Sequence, residues 1–223
     1  MFWNGTTRFD LPKQFRYNSK ICSIVGPEEK SLAWVFRDII LDDEYGLSKL
    51  TRNPASVLDV GGNIGLFTLW AGVNFPQATI HVYEPNPDLL DSLESNARQV
   101  GATVFAEGVA GQDGTGTFIG NGESMVGQCK VAPAGDIRLV SLRTAVERLG
   151  GSVDLLKLDC EGAEWEMFDD PEPFKAIGLI RMEYHLTRPD RSLGWMIDRL
   201  ESVGFRLLKL HPNQGFGIAW FDR

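Results

Sequence analysis

The sequence has few of the features that mark secreted or nucleic-acid-binding proteins. Only three cysteines occur among 223 residues. Cys22, Cys129 and Cys160 form no C-x-x-C pair, which is typical of reduced intracellular thiols rather than of a disulfide framework. The formal net charge is −8, and no cluster of Lys and Arg interrupts it. Because a protein that binds a phosphate backbone needs a positive surface, we expect no nucleic-acid partner.

Long apolar runs are missing as well. No stretch approaches the roughly 18 apolar residues that a membrane span requires. Met1–Gly5 is not a basic region followed by an apolar stretch, so no secretory signal is visible. We therefore expect a cytoplasmic protein with no membrane partner, while the sequence gives no indication of the oligomeric state.

The order of apolar segments predicts an α/β fold. From Ser56 onward, strand-like and helix-like segments alternate, which favours a mainly parallel sheet with helices on both faces. Two closing strands, near 206–210 and 216–221, indicate one antiparallel strand near the edge. We interpret residues 1–50 as an N-terminal helical extension, a candidate lid over substrate or cofactor, and residues 51–223 as a single domain.

A glycine-rich loop, Asp59-Val60-Gly61-Gly62-Asn63-Ile64-Gly65, joins the first of these strands to a helix. Glycine lets the backbone turn sharply, and the N–H groups at the helix start point into the crevice at the strand ends. Glu84 ends the next strand, 19 residues after Gly65. A carboxylate there can accept hydrogen bonds from both ribose hydroxyls of an adenosine-containing cofactor.

Two cofactor classes use this layout. The dinucleotide motif G-x-G-x-x-G, aligned from Gly61, would need glycine where Asn63 and Leu66 stand. The pattern D-x-G-x-x-x-G of S-adenosylmethionine (SAM) enzymes matches in full, with Asp59 placed to hold the amino-acid part of SAM. We predict SAM, and a dinucleotide or a glycine turn without a ligand are the alternatives. The predicted cofactor-binding residues are Asp59, Gly61, Gly62, Asn63, Gly65, Glu84 and Pro85.

Four segments together resemble the FkbM-type methyltransferases: VLDVGGNIGLFTL, VYEPNP, VDLLKLDCEGAE and RMEYH, in this order between Ser56 and His185. The resemblance implies a class I methyltransferase fold, a Rossmann-like three-layer sandwich with a seven-stranded sheet. It also implies transfer of the SAM methyl group to a hydroxyl of a sugar, glycan, polyketide or other secondary metabolite. Residues 1–50 and 111–136 lie outside these motifs, and we expect them to select the acceptor.

Charged side chains alternate along two strands that this fold places next to each other, 153–159 and 180–185. Such charges destabilise a central strand unless they are paired. One interpretation is therefore a structural network in which Lys157 or Arg181 neutralises Asp159 and Glu183.

The other interpretation is catalytic. An alcohol is a weak nucleophile until its proton is removed, and histidine is the side chain whose pKa suits that task. His81 lies within a strand and His211 in a loop, whereas His185 is at a strand end, where ligands bind in open α/β sheets. We predict His185 as the base, with Asp159 or Glu183 orienting it or holding the acceptor hydroxyl.

These carboxylates together with His185 could instead hold Mg²⁺ or another divalent cation that acidifies the hydroxyl, with Asp159, Glu161 and Glu183 as the candidate carboxylate ligands. Since Lys157 and Arg181 already supply positive charge, we expect no metal. N-methylation is an alternative function, disfavoured because no Asn/Asp-Pro-Pro-aromatic tetrapeptide follows the fourth strand. A SAM-binding protein without catalysis is another.

Overall fold

The central sheet of the computed structural model, which describes residues 10–120 and 127–223, has seven strands. In spatial order they are β12 (Arg206–Pro212), β13 (Phe216–Asp222), β11 (Ile177–His185), β10 (Val153–Leu158), β3 (Ser56–Val60), β4 (Thr79–Tyr83) and β5 (Thr103–Phe105). Strand β13 is antiparallel to both neighbours, and all other pairs are parallel. The predicted mainly parallel sheet with one antiparallel strand near its edge is confirmed.

The helices of the described ranges connect these strands. They are α1 (Lys30–Phe36), α2 (Leu66–Asn74), α3 (Leu90–Arg98), α4 (Leu142–Arg148), α5 (Glu164–Met167) and α6 (Leu193–Ser202), with a π-helical turn at Arg37–Leu41 and 3₁₀ turns at Leu47–Lys49, Pro87–Leu89 and Glu172–Ala176. Asn86 caps the 3₁₀ turn after β4, because its side chain accepts a hydrogen bond from the Asp88 N–H. No helix in these ranges combines the length and apolarity that a membrane crossing requires.

Alternation along the strands divides the core into two layers. Leu58 and Leu156 face a cluster that includes α4, α5 and α6, whereas Val57 and Leu155 face a cluster that includes α1 and α2. Side chains on a strand alternate between faces, so each central strand contributes to both layers.

A second, four-stranded sheet was not predicted. Its order is β6 (Gly108–Ala110), β9 (Ile137–Ser141), β7 (Gly114–Gly120) and β8 (Gly127–Val131). β6 is separate from β5 because the chain leaves the central sheet after Phe105. Glu107 lies in the break, where its carboxylate pairs with Arg148 and Arg138. Residues 121–126, within the irregular region 111–136, lie outside the described residues.

The N-terminal part begins with an unpredicted hairpin of β1 (Gln14–Tyr17) and β2 (Lys20–Ser23). Leu32 and Phe36 then pack in the same apolar cluster as Phe67 and Trp70 of α2. Residues 1–9 of the expected extension lie outside the described residues, and the domain boundary at residue 50 stays a prediction.

A buried asparagine on α3 joins this N-terminal part to the glycine loop. The Asn96 Oδ1 accepts a hydrogen bond from the Val25 N–H at 2.9 Å, while its Nδ2 donates to the carbonyls of Val25 at 2.7 Å and Ile64 at 2.6 Å. One side chain therefore contacts both the segment before α1 and the loop after β3.

Candidate functional site

The glycine loop turns through left-handed backbone. Gly61, Asn63 and Gly65 have φ values of 77°, 50° and 87°, a region that glycine adopts freely and asparagine more readily than most residues. A Cβ on Gly61 would lie 1.7 Å from the carbonyl oxygen of Asp159. Glycine is therefore required here because two strand ends approach each other closely.

Gly62 is required for a different reason. A Cβ at this position would lie 2.3 Å from the side chain of Val82. The second glycine of the loop therefore permits packing against β4. Its predicted contact with a cofactor stays a prediction.

Glu84 is buried at the end of β4 and is oriented by the loop. Its Oε2 accepts a hydrogen bond from the Asn63 N–H and its Oε1 from the Asn86 N–H, both at 2.8 Å. Burial raises the pKa of Glu84, although these two hydrogen bonds oppose the shift. The carboxylate thus faces the loop across the crevice, the position expected of a ribose acceptor.

Asp59 lies beneath the loop and is fully buried. Its Oδ2 accepts a 2.6 Å hydrogen bond from the Thr68 hydroxyl, and its Oδ1 lies 3.4 Å from Nζ of Lys157. Lys157 also contacts Oδ2 of Asp159 at 3.5 Å and donates to the carbonyl of Gly61. Asp59 therefore fixes the lysine that supports the loop, and its predicted contact with SAM stays a prediction.

The predicted charge network is only half present. Lys157 pairs with Asp159, as expected, but Arg181 does not neutralise Glu183. Its guanidinium instead contacts Oδ1 of Asp222 at 2.6 Å and lies over the Trp220 ring. Antiparallel β13, whose strand neighbour is β11, brings these two residues beside Arg181.

One cavity joins the glycine loop to the charged strand ends. Of the predicted residues, those lining it are Gly61, Gly62, Asn63, Glu84, Pro85, Asp159, Glu161 and Glu183. The predicted residues Asp59, Gly65 and His185 are not among those that line it, and His185 contacts Glu161 and Glu183 of the lining. Val35, Asp38, Ile39, Glu44 and Tyr45 form another part of the wall. Residues of the N-terminal segment therefore enclose part of the cavity.

Three carboxylates surround His185. Its Nε2 lies 3.3 Å from Glu161 and 3.4 Å from Glu183, and its Nδ1 lies 3.5 Å from Glu164. Burial would lower the pKa of His185, but Glu164, Glu183 and the charge of Asp159 raise it to about 11. In this arrangement the imidazole is protonated at neutral pH and has no free lone pair, so the predicted base would need a change in its surroundings.

Glu164 was interpreted from sequence only as part of a helix start, yet it organises this cluster. It is fully buried. Its Oε1 accepts a hydrogen bond from the His185 N–H at 2.7 Å, and its Oε2 accepts one from the Gly162 N–H at 2.8 Å. Its place in the KLDCEGAE segment was the available signal. The neighbouring Trp165 and Met167 are core residues, as expected.

Two residues of the N-terminal segment contribute to the site, and of these Glu44 was not predicted. The Tyr45 hydroxyl donates to Oδ2 of Asp159 at 3.2 Å. Burial, together with the charges of Glu183, Asp38 and Asp159, raises the pKa of Glu44 to about 8. For Glu161, burial raises the pKa to about 7 even though His185 opposes the shift. Both shifts come first from burial, and the charges of neighbouring carboxylates add to them.

Comparisons with known proteins agree with this layout. The family model described as Methyltransferase FkbM domain matches residues 59–207. The methyltransferase sdnD of Sordaria araneosa is 28% identical over 176 residues, which are 60% of this chain and 66% of that protein. The 31-O-demethyl-FK506 methyltransferase FkbM of Streptomyces tacrolimicus is 37% identical over 65 residues, 29% of this chain and 25% of that protein. The chain thus matches less than two thirds of the length of either relative.

Solved structures share the fold at low sequence identity. Magnesium protoporphyrin IX methyltransferase (ChlM) from Synechocystis PCC 6803, with bound SAM, has a TM-score of 0.54 at 12% identity over 87% of this chain and 83% of that one. The Methanococcus jannaschii fibrillarin pre-rRNA processing protein has a TM-score of 0.53 at 11% identity over 99% of this chain and 85% of that one. These similarities confirm the class I methyltransferase fold.

Proposed function

The chain belongs to the FkbM methyltransferase domain family, and from this premise we propose that it is a SAM-dependent O-methyltransferase. The proposed acceptor is a hydroxyl group of a small molecule or glycan. Support for an oxygen acceptor comes from the Streptomyces relative, whose name gives a 31-O-demethyl compound as its substrate.

The observation that carries this proposal is the continuity of the cavity. Its lining runs from Asn63 and Glu84 at the glycine loop to Asp159 and Glu183 at the neighbouring strand ends. A cofactor held by the loop would therefore share one enclosed space with carboxylates suited to a proton-bearing acceptor. Holding two reactants in one aligned geometry is the main contribution an enzyme makes to such a displacement.

The chemistry needs no further reactant. An oxygen lone pair of the acceptor forms the new C–O bond as the S–C bond of SAM breaks, which turns the positively charged sulfonium into a neutral thioether. The hydroxyl proton must leave in the same process. Asp159 and Glu183 are the proposed hydrogen-bond acceptors for that hydroxyl, and His185 positions Glu183 through their 3.4 Å contact.

Binding of the cofactor is tested by calorimetric titration with SAM and, separately, with NAD⁺. We expect saturable binding of SAM alone, and a Glu84→Gln variant that binds it about tenfold to 150-fold more weakly, since a hydrogen bond to a charged group contributes about 1.5–3 kcal/mol. The exposed Glu94→Gln on α3 is the matched control and should bind SAM like the wild type. Binding of NAD⁺ in place of SAM would refute the proposed cofactor.

The acceptor is tested by release of S-adenosylhomocysteine in the presence of hydroxylated and amine-bearing compounds, with the methylated atom assigned by NMR. Methyl groups found on oxygen support the proposal. Methylation confined to nitrogen would favour the alternative N-methyltransferase, and SAM binding without turnover on any acceptor would favour a binding protein.

A further inference from the structure

We propose that the charged ends of β10 and β11, at one side of the cavity, bind a divalent cation through Asp159, Glu161 and His185. Its role in catalysis rests on the proposed methyl transfer, whereas its binding does not. We expected no metal from the sequence because Lys157 and Arg181 would supply positive charge to these carboxylates. Arg181 contacts Asp222 instead, so of these two residues only Lys157 supplies that charge.

The geometry of the three side chains suits one ion. One ligand atom from each lies within 4.8 Å of the other two, and Nε2 of His185 is 3.3 Å from Oε2 of Glu161. Around an octahedral ion with bonds of about 2.1 to 2.3 Å, adjacent ligands are about 3.0 to 3.3 Å apart and opposite ligands about 4.2 to 4.6 Å apart. The ligand atoms therefore need only small movements to share a cation.

The surroundings of His185 are those of a histidine that binds metal through Nε2. Its Nδ1 faces Oε1 of Glu164 at 3.5 Å. Glu164 is in turn fixed by the backbone N–H groups of Gly162 and His185. A carboxylate behind the second ring nitrogen is the arrangement that orients metal-binding histidines.

The other two ligands are also held in place. Tyr45 and Lys157 both contact Oδ2 of Asp159, which fixes that carboxylate. Glu161 has a left-handed backbone with φ of 54°. This conformation is uncommon for glutamate, and it occurs where the chain turns from β10 toward the cavity.

The charge of the cavity favours a cation. Among the described residues that line it, the acidic ones are Asp38, Glu44, Glu84, Asp159, Glu161 and Glu183, and the basic one is Lys157. The side chains of Asp159, Glu161 and Glu183 are only partly exposed, and a bound cation would offset the repulsion among these carboxylates.

A cation at this place would act on the acceptor. A hydroxyl oxygen bound to a divalent ion loses its proton more easily. The proton would pass to the neighbouring Glu183 carboxylate while the oxygen forms its bond to the methyl carbon and the S–C bond breaks. The cation would displace the proton from Nε2 of His185, and the bound ion would activate the acceptor oxygen in place of a histidine base.

The test uses the full chain, stripped with a chelator and titrated with Mn²⁺, with the free ion followed by electron paramagnetic resonance. We expect one saturable site per chain. Glu161→Gln and His185→Gln should each weaken Mn²⁺ binding by at least about tenfold, because loss even of an outer partner costs about tenfold to 100-fold. Glu44→Gln is the matched control: it makes the same carboxyl-to-amide change in the wall of the same cavity but removes no ligand, and it should change affinity less than threefold.

The outcomes separate this inference from the proposed function. Absence of saturable Mn²⁺ binding to a wild-type chain that still binds SAM would overturn the metal site alone. Equal weakening by Glu44→Gln and Glu161→Gln would also overturn it, since the cation would then respond to the general field and not to these ligands. Retained SAM affinity in Glu161→Gln shows that the variant is folded. If Glu161→Gln loses its SAM affinity, the Mn²⁺ affinity of His185→Gln decides instead.

Discussion

Replacing Lys157 with methionine should destabilise the protein strongly. The side chain is 3% exposed, and its ammonium group lies 3.4 Å from Asp59 and 3.5 Å from Asp159. Methionine keeps most of the apolar stem and removes the charge. Asp59, with no exposed surface, would keep only the hydrogen bond from Thr68.

The magnitude follows from that burial. Removing one partner of a buried ion pair costs about 3–5 kcal/mol, because the other charge stays buried without compensation. For a chain of 223 residues, each kcal/mol lowers the melting temperature by about 2–4 °C. The Lys157→Met variant should therefore melt about 6–20 °C below the wild type.

Thermal and urea unfolding measure the effect, and two further variants give its cause. The double variant Asp59→Asn with Lys157→Met should regain much of the loss, since no buried charge is left unpaired. Lys175→Met removes a pair with Glu172 in which both side chains are more than half exposed, and such pairs contribute about 0–1 kcal/mol. A loss of less than about 1 kcal/mol in Lys157→Met, or no recovery in the double variant, would refute the argument.

Two more substitutions test the architecture of the site. Gly61→Ala should lower the free energy of unfolding by more than about 2 kcal/mol and abolish SAM binding, because left-handed backbone alone costs alanine about 1–2 kcal/mol and its Cβ would overlap the Asp159 carbonyl. Glu164→Gln should lower the free energy of unfolding in urea by about 1–3 kcal/mol. The carboxylate accepts hydrogen bonds from the backbone N–H groups of both Gly162 and His185, and one amide oxygen cannot accept both.

Each of these has a control nearby. Gly114→Ala adds a methyl group with no atom within 4 Å, and it should leave stability and SAM affinity unchanged. Glu166→Gln makes the same chemical change on the exposed side of α5. If Gly114→Ala is as damaging as Gly61→Ala, the close approach at Gly61 does not explain the result. If Glu166→Gln is as damaging as Glu164→Gln, the two hydrogen bonds accepted by the Glu164 carboxylate do not explain it.

The position of the glycine loop could be predicted because its signals are local. The apolar strand, the glycines and the acid at the end of the next strand lie within Ser56 to Glu84. The parallel order of the sheet then brings these segments together, since β3 pairs with β4.

Other contacts could not be predicted because they join distant parts of the chain. Tyr45 is 114 residues from Asp159, and a single tyrosine has no periodic pattern. The pairing of Arg181 with Asp222 depends on β13 lying antiparallel beside β11. The strand Gly108–Ala110 has three residues, too few to show alternation. The segments 115–119 and 137–142 have a strand-like pattern, but nothing local shows that they pair into a second sheet.

The three hydrogen bonds of Asn96 make the glycine loop and the segment before α1 thermodynamically linked. Releasing Val25 from α3 breaks two of them and frees the side chain that also holds the Ile64 carbonyl. A ligand that stabilises the loop must therefore also make local opening near Val25 less favourable. The free energy of this effect equals the free energy by which the opening weakens binding of the ligand. Amide hydrogen exchange at Val25 thus reports occupancy of a cavity that this residue does not line.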